Sequence, residues 1–190
     1  MSEKINIAII GGGIVGCCLA LELAKTREDI YVFEKNPGIT RGENQSSRNS
    51  GVLHAGFYYE QDIRPLKGRL CVEGNRLWND FAQKHQLPCR RIGKLLVAKD
   101  RTEEQVLEKY LLLAQENGVP GVRVIDADEI RQLEPNVSAH CALLVPTSGI
   151  IDPTALLHQV YASASNRGAN FMVETEVVDL AASAEEVMVH

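Results

Sequence analysis

The chain has 190 residues, 45% of them hydrophobic, and a formal net charge of -5 at neutral pH, which is material for one globular domain, or for one domain with part of another. That charge balance argues against a broad footprint for nucleic acid or an anionic membrane and points to small-molecule partners. Five cysteines, two of them adjacent and none in C-x-x-C spacing, read as reduced thiols, so a cytoplasmic protein without a metal site is expected.

The chain opens on an apolar stretch, residues 5–24, whose only charge is Glu22. Three consecutive glycines, Gly11, Gly12 and Gly13, interrupt it, so no transmembrane segment is expected. Lys4 to Ile10 has the β-branched, nearly continuous apolar pattern of a strand buried in a parallel sheet. Gly11, Gly13 and Gly16 then fit G-x-G-x-x-G, in which glycines turn the chain, admit a pyrophosphate and let the following helix pack closely. The helix Ile14 to Thr26 would aim its first N–H groups at that pyrophosphate.

"DIYVFEK" supplies a second strand, and Glu34 stands 18 residues beyond Gly16, where a carboxylate can accept hydrogen bonds from a ribose diol and would repel a 2′-phosphate. FAD and NAD are thereby favoured over NADP. Topology separates those two. An NAD-binding domain normally supplies its third parallel strand one helix later, whereas here the next helix-then-strand return comes about 120 residues on. That delay predicts an α/β fold: a Rossmann-like FAD-binding parallel sheet, incomplete, with a partial α+β substrate domain inserted into it.

The intervening elements are a helix from Arg64 to His85 with Leu66, Leu70, Leu77, Trp78 and Phe81 as its apolar stripe, and a strand in "CRRIGKLLVAKD". A helix from Thr102 to Asn117 follows, with Val106, Tyr110, Leu113 and Ala114 inward. Next come a short helix capped by Asp126 and Glu129 and a strand in "HCALLVP". Asp152, Pro153 and Gly168 then frame a helix, and "ANFMVETEVVDL" is the candidate third parallel strand. The expected division is 1–88 for the first part of the FAD-binding domain, 89–148 for the substrate domain and 149–190 for the return. Lys67 and Arg69 read as solvated helix charges.

In order and spacing, "IAIIGGGIVG", "FEK", "SSRNSGVLHAGFYY", "LKGRLCVEGNRLW", "GKLLVA", "LEPNV" and "VPTSGIIDP" resemble the N-terminal half of FAD-dependent oxidoreductases of the D-amino acid oxidase-like superfamily, most of all the L-2-hydroxyglutarate oxidase/dehydrogenase branch. The resemblance implies oxidation of an L-2-hydroxy acid to the 2-oxo acid by hydride transfer to flavin, with a quinone or oxygen as electron acceptor. A place at the periphery of the inner membrane is the alternative to a purely cytoplasmic one. Carried over by position, Gly11, Gly13, Gly16 and Glu34 would hold the ADP half. Ser46, Ser47, Arg48, Asn49, Ser50 and Gly51 would form a second flavin-contacting segment. His54 is the candidate catalytic residue near the ring system, where it would position substrate or tune the ring; a hydrogen-bonded structural histidine is the other reading.

"EQDIRP" departs from the family's usual turn after Tyr59, and members of the family are roughly twice as long as this chain. The base and the opposite wall of the pocket are therefore expected in a C-terminal half, and the first strand is expected at an open sheet edge, leaving the chain alone poorly soluble and weak in FAD binding. Glycerol-3-phosphate dehydrogenase or amino acid oxidase chemistry on the same scaffold is an alternative. A nucleotide-binding fragment without catalysis of its own is another.

Overall fold

The computed structural model describes residues 4–190, which divide by packing into two units, 4–50 with 152–190, and 51–151. In the first unit, β1 (Ile7–Ile10) and β2 (Ile30–Phe33) run parallel in the register Ile7 to Ile30. The delayed strand β9 (Asn170–Met172) adds to the far side of β2, parallel, with Tyr31 opposite Asn170. The order β1-β2-β9 leaves β1 at a margin of the sheet, as expected for the first strand. The third strand is shorter than its apolar run suggested, because Glu174 has φ 53, a left-handed turn that ends it.

Helices α1 (Ile14–Leu23) and α5 (Pro153–Ser165) pack against one another, and Ala20 and Ala164 join Ile9, Ile30, Val32 and Ala169 in the core. Alanine at both helix positions lets the helices approach the sheet closely. The start of α5 is fixed by Asp152, whose Oδ1 accepts from the N–H groups of Thr154 at 2.9 Å and Ala155 at 3.0 Å, with Pro153 at the first helical position. Asp152→Ala removes that acceptor and is expected to lower stability by about 1 kcal/mol, read from the midpoint of urea unfolding; an unchanged midpoint would show the cap to be idle. A short antiparallel pair, β10 (Leu180–Ala182) and β11 (Val187–Val189), closes this unit.

The second unit is α+β. One antiparallel sheet joins β3 (Val52–Leu53), β8 (Gly149–Ile151) and β4 (Cys89–Arg90). A second places β7 (Cys141–Leu144) between β5 (Leu95–Ala98) and β6 (Arg123–Asp126). Helices α2 (Pro65–Lys84), α3 (Arg101–Glu116) and α4 (Ala127–Leu133) complete it. Its main core gathers Phe57, Leu107, Leu143 and Val145, and a smaller cluster gathers Ile125, Ile130 and Ala142.

By packing, residues 51–88 group with the intervening unit, because β3 pairs with β8. Three expectations about individual elements are corrected here. "CRRIGKLLVAKD" forms two strands in different sheets, since Gly93 turns the chain at φ 74. The apolar stripe of α2 is not its buried face: Leu66, Leu70 and Leu77 are exposed. The buried face carries Gly68, Asn75 and Ala82. It has to be small and polar because it meets irregular backbone. A Cβ at Gly56 would lie 3.2 Å from the Gly68 carbonyl oxygen, and Asn75 supplies the donors that the neighbouring carbonyls lack. In α3 the inward residues are Leu107, Leu113 and Ala114, with Tyr110 and Leu111 packed on the core, while Val106 is exposed.

Candidate functional site

In the first unit, the loop between β1 and α1 is held by its own backbone. Gly11 turns at φ 97 and its N–H donates to the Phe33 carbonyl at 2.8 Å. A Cβ on Gly16 would lie 2.0 Å from the Gly11 carbonyl oxygen, so helix and turn touch where only glycine fits. Gly13, the N-cap of α1, provides no side-chain acceptor, and the first turn carries no acidic residue. Instead Ser46 Oγ, from a distant segment, accepts the Ile14 N–H at 2.9 Å. The helix dipole and the first-turn donors thus meet a small neutral group, and no carboxylate competes with an incoming anion.

Glu34 is buried. Its Oε2 accepts the Gly12 N–H at 2.7 Å, and its Oε1 accepts the backbone N–H and Nδ2 of Asn36 at 2.8 and 2.7 Å. The third strand fixes this arrangement, because the Glu34 N–H donates to the Met172 carbonyl and the Thr175 N–H to that of Glu34. These three bonds leave one acceptor site of the carboxylate open, at Oε2. Asn36 and Asn44 organise the loop to Ser46. Asn36 Oδ1 accepts the Glu43 N–H at 3.1 Å, Asn44 Oδ1 accepts the Ser46 N–H at 2.9 Å, and Asn44 Nδ2 donates to the Ile39 carbonyl.

Of the serine-rich segment, Ser46 alone reaches the glycine loop through a side-chain bond among the described contacts. Ser47 Oγ donates to the carbonyls of Thr40 and Asn44, and Asn49 Nδ2 to that of Ser46, so both shape their own turn. Arg48 and Ser50 are exposed. Gly51 turns at φ 65, and its carbonyl accepts the Ile151 N–H, within the second unit. Cys17, at the start of α1, is fully buried and donates its thiol to the Gly12 carbonyl at 3.2 Å. Burial, then Cys18 and Glu34, push that thiol up to about 12, so it stays protonated.

His54 lies in the second unit. Its side chain is exposed between buried Leu53 and Ala55, although its apolar neighbours suggested burial; alternation along the extended chain turns it outward. Tyr58 Oη lies 3.3 Å from His54 Nδ1 and 3.4 Å from Tyr59 Oη. The His54 carbonyl accepts from Asn75 Nδ2 at 3.0 Å and the same amide nitrogen donates to the Thr147 carbonyl at 3.0 Å. Partial desolvation, then Lys94 and Lys67, hold the imidazole below its ordinary pKa, so it is neutral at pH 7. The hydrogen bond to Tyr58, with burial, pushes the Tyr59 phenol up to about 12, so it stays protonated within this chain of three polar groups.

One trio of metal-ligand type, Glu104, His140 and Cys141, comes together in this unit, with ligand atoms within 4.8 Å of one another. His140 Nε2 is already on Glu104 at 3.2 Å, and burial pushes the Cys141 thiol up, which makes it a poor ligand. All five cysteines are free thiols. Among the described residues no helix is long and apolar enough to cross a membrane.

Residues 6–189 match the DAO family, FAD dependent oxidoreductase. The chain belongs to that family. It is 39% identical over 151 residues to the mitochondrial L-2-hydroxyglutarate dehydrogenase of Caenorhabditis elegans, covering 78% of this chain and 34% of that protein. It is 32% identical over 179 residues to a glycerol 3-phosphate dehydrogenase of Caloramator mitchellensis, covering 92% and 36%. Among solved structures, the FAD-bound L-alpha-glycerophosphate oxidase of Mycoplasma pneumoniae superposes with a TM-score of 0.86 at 24% identity, over 99% of this chain and 50% of that one. L-proline dehydrogenase from P. horikoshii gives 0.81 at 27%, over 98% and 48%. The matched region thus spans about a third of these curated relatives and half of these solved chains.

FAD is the cofactor of this oxidoreductase family, and the first unit's residues fit it. The close approach of Gly11 and Gly16, the α1 N-terminus without an acidic first turn, and the Glu34 carboxylate are the features that would cradle a dinucleotide's phosphates and ribose. Gly12, bonded to Glu34, and Asn36 and Asn44, which organise the loop to Ser46, would belong to this cradle, and the motif prescribes none of the three. Tyr58 and Tyr59 were missed as partners of His54 even though "GFYY" was among the motifs; a tyrosine pair four and five residues after a histidine was the available signal.

Proposed function

We propose that this flavoprotein oxidises an L-2-hydroxy acid of the 2-hydroxyglutarate type to the 2-oxo acid, with a quinone or oxygen as final electron acceptor. The observation that carries this reading is the His54–Tyr58–Tyr59 array: an exposed, neutral imidazole with Tyr58 Oη 3.3 Å from its Nδ1 and Tyr59 Oη 3.4 Å beyond. The ring would hydrogen-bond the substrate's hydroxyl or carboxylate oxygen, holding the substrate in orientation while its hydroxyl proton leaves to a base elsewhere. When bound, FAD supplies the two-electron acceptor for the hydride leaving the substrate carbon. Gly11, Gly13, Gly16, Glu34 and Ser46 would hold the adenine-dinucleotide half, with Ser47, Arg48, Asn49, Ser50 and Gly51 as the adjoining segment.

The second reading is glycerol 3-phosphate oxidation, favoured by the Caloramator relative that covers 92% of the chain. Anaerobic mixing of the FAD-loaded protein with L-2-hydroxyglutarate, glycerol 3-phosphate or L-proline separates them. Bleaching of the flavin absorbance by L-2-hydroxyglutarate is expected. Bleaching by glycerol 3-phosphate alone would replace the first reading with the second.

A further inference from the structure

The backbone at His54 is held from α2. Its carbonyl accepts from Asn75 Nδ2 at 3.0 Å and from the Cys71 thiol at 3.5 Å. Asn75 is buried, its Nδ2 also reaches the Thr147 carbonyl at 3.0 Å, and its own carbonyl accepts from Asn79 Nδ2 at 2.7 Å. The main chain at His54 is thus fixed. The ring is held differently: it is exposed, and among the described residues its hydrogen-bond partner is Tyr58 Oη, 3.3 Å from Nδ1.

Tyr58 is anchored without help from His54. Its ring meets that of Phe57 edge-on, with centroids 4.9 Å apart and planes at 86°, and Phe57 is buried and packs in turn against Tyr110 of α3 at 6.0 Å. Tyr59 adds a further ring contact at 4.6 Å, and Lys67 Nζ lies over the Tyr59 ring at 4.9 Å. Tyr58 itself packs against the main core of this unit. Its ring contact with His54 is looser, at 6.4 Å. The phenol is therefore the fixed post, and the imidazole is the group free to turn. An exposed histidine samples several rotamers, and one hydrogen bond to a fixed partner selects among them by about fivefold.

We infer that Tyr58 is a positioning residue: its hydroxyl holds Nδ1 of His54, so that Nε2 is the nitrogen turned to the substrate. This deepens the hydroxy acid reading above and rests on it for the identity of that substrate, but not for the geometry. Whichever group donates in the bond between Tyr58 and Nδ1, Nε2 is the nitrogen left open, since among the described residues it has no hydrogen-bond partner. Tyr59 Oη stands 3.4 Å from Tyr58 Oη and does not itself bond the ring. It supports the post and does not replace it.

Tyr58→Phe removes the hydroxyl and keeps the ring in its aromatic packing. In the full 190-residue chain, with histidine ring nitrogens labelled, the His54 Nδ1 resonance of this variant is expected to move to the position of an imidazole bonded only to water. The urea midpoint and the quenching of FAD fluorescence should stay as in the parent. The limiting rate of flavin reduction at saturating L-2-hydroxyglutarate is expected to fall about fivefold, with a smaller change in the concentration that half-saturates it. Tyr59→Phe should move the Nδ1 resonance less than Tyr58→Phe does. An unmoved Nδ1 resonance, an unchanged limiting rate, a larger shift from Tyr59→Phe, or a Tyr58→Phe chain that loses its fold along with its rate would overturn the assignment. The two readings fail separately: if L-2-hydroxyglutarate does not reduce the flavin of the parent, the hydroxy acid reading falls, and the Nδ1 resonance still decides the role of Tyr58.

Discussion

Glu34→Gln is expected to weaken FAD binding by about tenfold to a hundredfold and to lower the stability of the apo chain by about 1–3 kcal/mol. The carboxylate is buried and accepts three N–H bonds, one from Gly12 at Oε2 and two from Asn36 at Oε1. An amide has one acceptor oxygen and an NH2 group that can only donate. Turned one way its NH2 faces the Gly12 N–H; turned the other way it faces both donors of Asn36. In either pose a buried donor loses its acceptor, and the glycine loop loses the tether that sets its distance from β2. A ribose diol loses an acceptor as well. Flavin fluorescence quenching gives the affinity, and urea unfolding of the apo chain gives the stability. If stability falls while affinity holds, the carboxylate serves the loop and not the nucleotide; if neither moves, the cradle assignment is lost.

The glycine-rich turn, the acid after β2 and the late third strand were legible because each is a local pattern with one physical use. Pairing of β9 with β2 follows from a helix-then-strand return, and a parallel neighbour was the one arrangement a short crossover helix permits. The face of α2 was not legible, and the reason is instructive. Leucine spacing identifies a stripe, but burial of Gly68, Asn75 and Ala82 depends on contacts with segments 54–56 and 147, which are distant in sequence. Such a face satisfies stranded carbonyls with asparagine and admits backbone with glycine, and hydropathy registers neither. Leu66, Leu70 and Leu77 are left exposed, as is Ile63.

The same limit applied to the serine-rich segment. Its composition promised six equivalent ligands, whereas the structure differentiates them: Ser46 caps α1, Ser47 and Asn49 fold their own turn, Arg48 and Ser50 are exposed, and Gly51 turns the chain into β3. Side-chain hydrogen bonds to nearby backbone compete with ligand contacts for the same residue types, so a run of serines and asparagines fixes a loop before it fixes a site. His54 shows the converse. Its role depends on partners, Tyr58 through Nδ1 and Lys67 and Lys94 through charge, of which only the tyrosine is a near neighbour in sequence.

Gly16→Ala is expected to abolish measurable FAD binding and to cost about 2–3 kcal/mol of stability, while Gly74→Ala, the same chemical change, is expected to stabilise by about 0.5–1 kcal/mol. At Gly16 the new methyl would sit 2.0 Å from the Gly11 carbonyl oxygen and 3.4 Å from Ile9 Cγ2. The first of these is backbone, so relief requires moving either α1 away from β1 or the turn at Gly11, which the Gly11 N–H holds to the Phe33 carbonyl at 2.8 Å. Both motions displace the N–H groups that the α1 N-terminus presents. At Gly74, inside α2, a methyl meets nothing within 4 Å, so the substitution only restricts the unfolded chain and favours the helix. Far-UV circular dichroism with urea titration of the two variants, beside FAD fluorescence quenching, reads both signs at once. A Gly16→Ala chain as stable as its parent would mean that the close approach of helix and turn is not required. A destabilised Gly74→Ala chain would mean that the open side of α2 is occupied in the folded protein.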